Sequence, residues 1–198
     1  MANQEKVKET RNVALPVTIS YEQEKRKAVG YALLWNTPSD GLPFEEVIEQ
    51  GALEGVIARS NIFALLDHDK SRGILARSKY GVGTLQLTID DKGLRYEFEA
   101  PRTSLGDELL EYLRRGEITE SSFCFTVAAD GETWEKKSDN TWKRTIHKFD
   151  ELFDVSPVYD AAYSKTSVNL RGKEIAERNL APQAPPEEYY ENILKNLK

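Results

Sequence analysis

A chain of 198 residues, 39% hydrophobic and 30% charged, is long enough for one domain with a real core and too short for two large ones. Its formal charge of -6 argues against nucleic acid as the main partner, because phosphate binding needs a concentrated basic face. Its apolar stretches fall far short of the roughly 20 residues of a membrane span; the first twenty residues are too polar for a signal peptide; and one cysteine with two histidines leaves neither an internal disulfide nor a cysteine-rich zinc site. The expectation is a cytoplasmic protein with no metal, no cofactor and no membrane partner.

Along the chain, residues 1–11 are polar and read as an edge at best. Strand signals follow at 12–20 and 28–35, the second through Val29-Gly30-Tyr31-Ala32-Leu33-Leu34-Trp35. Residues 36–43, rich in turn formers, read as a loop. From Phe44 the apolar residues Phe44, Val47, Ile48 and Leu53 recur at three- and four-residue spacings, which predicts an amphipathic helix with Glu45, Glu46 and Glu49 on its wet side. The run Ile62-Phe63-Ala64-Leu65-Leu66 reads as a buried strand that delivers Asp67-His68-Asp69 at its end.

Residues 81–89 and 94–99 alternate and flank Asp90-Asp91-Lys92-Gly93, the pattern of a hairpin. A second helix is predicted over 105–115, with Leu105, Leu109, Leu110 and Leu113 on one face and Gly116 as its stop. Ser121-Ser122-Phe123-Cys124-Phe125-Thr126-Val127 reads as a strand, 130–140 as a polar excursion, and 142–158 as a further strand region. Together these give an α+β, β-rich domain, barrel-like in closure, over residues 12–172. Residues 173–198 differ in kind: a proline-rich linker at 181–186 leads into a short apolar-sided tail with Tyr190, Ile193, Leu194 and Leu197.

The chemistry-bearing residues concentrate at two strands. His68 at a strand end and two strand-borne nucleophiles, Ser122 and Cys124, form the pattern of acyl transfer. Against this, a histidine between aspartates is commonly a solvated or capping residue, and a free cysteine is commonly a small buried hydrophobe. Ser121 is adjacent, but alternation turns it away from the Ser122 face.

The order of segments resembles the prohead maturation proteases of tailed bacteriophages, serine peptidases whose fold is similar to that of herpesvirus assemblin. The resemblance runs from about Val13 to Arg171. It rests on Gly30 to Asn36, Phe44-Glu45-Glu46-Val47-Ile48-Glu49-Gln50-Gly51-Ala52-Leu53, Asp67-His68-Asp69, Gly83-Thr84-Leu85, Asp91-Lys92-Gly93-Leu94, Gly116-Glu117-Ile118, Ser122-Phe123-Cys124-Phe125, and Leu152-Phe153-Asp154-Val155-Ser156-Pro157-Val158.

The resemblance implies a serine endopeptidase acting inside the immature capsid in the host cytoplasm. Its substrates would be scaffold or the scaffold-like segment of the major capsid protein, and the chain itself. The general base falls on His68 and the nucleophile on Ser122, where Cys124 replaces the family's glycine. Laying the third-residue segment of the assemblin-like relatives onto Val155-Ser156-Pro157 puts Glu151 in the orienting role. Asp154 and His147 are the runners-up, and Asp150 stands nearby. The oxyanion donors would come from about Val158 to Ala162. A self-associating dimer is expected, with helix 105–115 as its contact; the competing class is an inactive capsid-assembly or scaffold factor on the same fold.

Overall fold

The alternating segments become strands in the computed structural model, which describes residues 7–12, 20–22, 26–39 and 42–159. The largest sheet has the order β1 (Glu9–Asn12), β10 (Glu120–Val127), β13 (Phe149–Val158), β5 (Asn61–Ala64), β6 (Ala76–Lys79) and β7 (Val82–Gly83). A second runs β2 (Ser20–Glu22), β3 (Lys27–Leu34), β9 (Gly93–Glu99), β8 (Gln86–Ile89), and a third β11 (Glu132–Lys136), β12 (Trp142–Ile146), β4 (Glu45–Ile48). Each sheet has two end strands, so the described residues form open sheets, and the barrel-like closure expected is not seen among them. The β-rich character with few helices is as the sequence predicts.

Two short-range signals hold. The β8–β9 hairpin closes through the Asp90 carboxylate, which accepts from Lys92 N at 2.9 Å and Gly93 N at 3.0 Å. Helix α2 (Ser104–Arg115) starts at Thr103, whose hydroxyl accepts from Gly106 N at 3.3 Å, and stops at Gly116 in the left-handed region with φ 70°. Leu105, Leu109 and Leu113, one turn apart, are buried in the chain's own core. That face is therefore spent inside the molecule and is not available as the dimer contact expected for it.

The core beneath the largest sheet is a stack of Phe123, Phe125 and Phe149. The Phe125–Phe149 centroids lie 4.5 Å apart and the Phe123–Phe125 centroids 5.2 Å apart. Offset rings at these separations add to the area they bury. They fix the side of β10 that faces inward, and hence the side that carries Ser122.

The helix expected from Phe44 is absent. Residues 45–48 form β4, parallel to β12 with Val47 opposite Thr145 and Ile48 opposite Ile146. The chain then turns through Gly51 and Gly55, both at positive φ, into the one-turn helix α1 (Val56–Arg59). The helical spacing misleads because β4 is buried on both faces: Glu46, read as a solvated residue, has 0% exposure. Its carboxylate accepts from Arg11 Nε at 2.6 Å and Arg144 Nη1 at 2.8 Å.

Those contacts belong to a cluster of five charges. Arg144 also binds Glu9 through two hydrogen bonds of 2.6 and 2.8 Å and holds Glu132, while Arg11 reaches Glu9 at 2.5 Å. Glu9 and Arg11 lie on β1 of the largest sheet; Glu46, Glu132 and Arg144 lie on all three strands of the smallest. The cluster thus ties the two sheets together, and it draws residues 9–11 of the polar leader into the fold.

Burial, the strongest influence on Glu9, pushes its carboxyl upward, but hydrogen bonding and charge from Arg144 and then Arg11 outweigh it, leaving the group below its ordinary value of 4.5. A carboxyl depressed on folding stabilises the protein fully above its unfolded value and loses that contribution as pH falls toward the folded one. Thermal melts at successive pH values should therefore show Glu9→Gln less stable than the parent at pH 7, with the gap narrowing below 4.5. A gap that stays constant on acidification would refute the coupling.

Candidate active site

β5 pairs in parallel with β13, Phe63 opposite Asp154 and Ala64 opposite Val155. The chain leaves this strand through buried Leu65 and Leu66, then bends back at Asp67 and His68, both left-handed with φ 55° and 59°. Such angles are uncommon outside glycine and need an anchor. The anchors are Asp67 N–H on the Pro157 carbonyl at 3.0 Å and Asp69 N–H on the Leu66 carbonyl at 3.1 Å. They aim the His68 ring back across the middle of β13.

The carboxylate that meets His68 is not a flanking one. Asp69 accepts from Ser71 Oγ at 2.6 Å and Ser71 N at 2.9 Å, capping a short 3-10 turn (Lys70–Arg72), and these bonds hold its carboxyl below the usual range. Instead His68 Nδ1 lies 2.6 Å from Asp154 Oδ1, and His68 Nε2 lies 2.7 Å from Ser122 Oγ. An ionised carboxylate only accepts, so Nδ1 carries the proton and the lone pair of Nε2 faces the serine hydroxyl. One imidazole thereby bridges a hydroxyl and an acid, an arrangement able to take a proton from Ser122 as it attacks an acyl carbon.

Ser122 has a second acceptor, the Arg11 carbonyl of β1 at 3.0 Å. A hydroxyl owns one proton, so it serves Arg11 or His68 at any instant. Ser121, on the opposite side of β10, pairs with the buried Tyr96 hydroxyl at 2.8 Å, and burial pushes the Tyr96 phenol upward. Cys124 is half-buried; burial first, and the charge of Asp154 second, push its thiol up and away from the reactive thiolate.

Glu151, expected as the orienting acid, does not reach His68; Asp154 does. Strict alternation would turn positions 151 and 154 to opposite faces. The pairing of β10 with β13 runs Ser122 to Ser156 and Cys124 to Asp154, then Phe125 to Leu152, and Thr126 to Glu151, then Val127 to Phe149. Phe153 and Asp150 are each an extra residue on β13, two bulges that reset the alternation. The one at Phe153 lies between Asp154 and Glu151, so the two share the Ser122 face, with Asp154 opposite Cys124 and Glu151 further off, opposite Thr126. His147 also stands apart, its Nδ1 2.9 Å from Glu49 and its Nε2 3.0 Å from Thr133.

Two contributors have no counterpart among the expected residues: the Arg11 carbonyl and Ser156. The first is a backbone atom and leaves no side-chain signal. The second was within reach, since a strand residue two positions from Asp154 shares its face. Of the expected oxyanion segment, positions 160–162 lie outside the described residues, as does the whole of 173–198.

Among curated protein sequences no match to the chain was found. Among solved structures, the chain is similar to the capsid assembly protease of bacteriophage T4, with a TM-score of 0.45 and 11% identity over 78% of this chain and 97% of that one. The family description Caudovirus prohead serine protease matches residues 15–180, a stretch that holds the strand end bearing His68, the Ser122 strand and the bulged strand of Asp154. By that match over most of its length, the chain belongs to the caudovirus prohead serine proteases.

Proposed function

We propose that the chain is a serine endopeptidase in which Ser122 is the nucleophile, His68 the general base and Asp154 the acid that orients it. The observation carrying this reading is the His68 ring held at 2.7 Å from Ser122 Oγ and 2.6 Å from Asp154 Oδ1. As Ser122 Oγ bonds to a peptide carbonyl carbon, its proton passes to Nε2, and Asp154 stabilises the imidazolium. Nε2 then returns the proton to the departing amine, leaving an acyl-enzyme that water opens by the same route in reverse.

The substrates under this reading are scaffold protein or the scaffold-like segment of the major capsid protein, and the chain itself, inside the immature capsid in the host cytoplasm. Family membership supports the capsid setting. Self-association fits an enzyme silent until concentrated in the shell; its contact would use a surface other than the buried face of α2. One observation favours the competing reading of an inactive assembly factor: Ser122 is 0% exposed, so an acyl group reaches it only once the site opens.

Labelling with a fluorophosphonate separates the two. The expected result is an adduct mapped by mass spectrometry to the peptide holding Ser122, with discrete capsid-protein fragments when the chain is co-expressed with coat and scaffold. Absence of both adduct and fragments would favour the assembly factor.

A further inference from the structure

We propose that Ser156 is a positioning residue of the site, holding Asp154 in the orientation that His68 needs; the proposal rests on the protease reading above. Ser156 Oγ donates to Asp154 Oδ1 at 2.7 Å, the same oxygen that receives His68 Nδ1–H at 2.6 Å. Both donors converge on one carboxylate oxygen, so a turn of the carboxylate about its χ2 breaks two charge-assisted bonds at once. Ser156 has 0% exposure and Asp154 7%, which keeps water from taking over the hydroxyl's part.

The strand geometry explains why this residue is the one that does it. Beyond the bulge at Phe153, β13 is regular, so Asp154 and Ser156 share a face, while Val155 between them goes into the core. Ser156 is also directly across from Ser122. The four side chains therefore form a chain of contacts from Ser122 through His68 and Asp154 to Ser156, closed beside its starting point by the strand pairing.

A buried serine could instead be a satisfied core hydroxyl whose removal merely loosens the strand. The two roles part in their coupling to Asp154. If Ser156 acts through that carboxylate, Ser156→Ala should lower kcat roughly tenfold to a hundredfold with KM little changed, the range expected for a lost hydrogen bond to a charged group. In an Asp154→Asn background the same substitution should add almost nothing, whereas a loosened strand would penalise both backgrounds alike. Ser156→Thr, which keeps the hydroxyl, should recover most of the rate.

The second readout is independent of proteolysis. The chain has two histidines, so the imidazole NH signals of the full-length protein assign readily by 15N-histidine NMR. Ser156→Ala should broaden or shift the His68 Nδ1–H signal and leave those of His147 unchanged. An unmoved His68 signal, or equal rate losses with and without the Asp154 carboxylate, overturns the proposal. A parent without protease activity overturns the protease reading alone, because the NMR comparison still decides whether Ser156 holds Asp154 against His68.

Discussion

Ser122→Ala and His68→Ala should each reduce kcat for capsid-protein cleavage by about a million-fold, and the double variant should be hardly worse than either. Non-additivity is the signature of groups acting as one unit: without the base the hydroxyl is not activated, and without the hydroxyl the base has nothing to activate. Asp154→Asn should cost less, on the order of ten-thousand-fold, because the amide leaves the geometry in place but offers Nδ1 a different partner and no charge to stabilise imidazolium. Glu151→Gln should stay within a few-fold of the parent, since Glu151 lies opposite Thr126 and away from the ring. Steady-state cleavage of purified coat protein measures all five variants. A large loss at Glu151 with Asp154→Asn near normal would reverse the assignment of the acid.

Arg144→Ala should be the most damaging substitution outside the site. The Arg144 side chain is 3% exposed and bonds three carboxylates, Glu9, Glu46 and Glu132. Removing it leaves the fully buried Glu46 with Arg11 as its one cation in the cluster, beside the Ser39 hydroxyl at 3.3 Å, and changes the cluster from two positive and three negative charges to one and three. Breaking a buried ionic network from one side costs about 3–5 kcal/mol, because the remaining charges stay desolvated. In a chain of this size that is roughly a 6–20 °C fall in Tm by calorimetry. The control is Arg115→Ala, which removes a pair with Glu117 whose partners are 56% and 39% exposed and should leave Tm almost unchanged. Equal shifts in the two variants would remove the cluster from the account of stability.

Much of the site is legible from residue order. An apolar run ending in Asp67-His68-Asp69 and a strand alternating Ser122 with Phe123 place His68 at a strand end and Ser122 on the face away from the phenylalanine core, because strands with one buried face write their period into the sequence. The acid is not legible in this way. The bulge at Phe153 shifts the face count between positions 151 and 154 without altering composition, so the choice between Glu151 and Asp154 turns on pairing with β10 that no local pattern records. β4 fails for a related reason. Its buried polar residue, Glu46, has partners nearly a hundred positions away in one case and thirty-five in another, and a window of ten residues sees only a charge.

Those separations also set a timetable for synthesis. The link from His68 to Asp154 spans 86 residues, and that from Glu9 to Arg144 spans 135. Closing such long loops precedes any reward from the contacts they make, so folding should be slow and should finish late. While the ribosome has yet to release Arg144 and Asp154, the cluster ties β1 to β4 only through Arg11 and Glu46, and the His68 imidazole lacks its Asp154 partner. The Ser122–His68–Asp154 arrangement is thus incomplete until nearly all of the described residues have emerged.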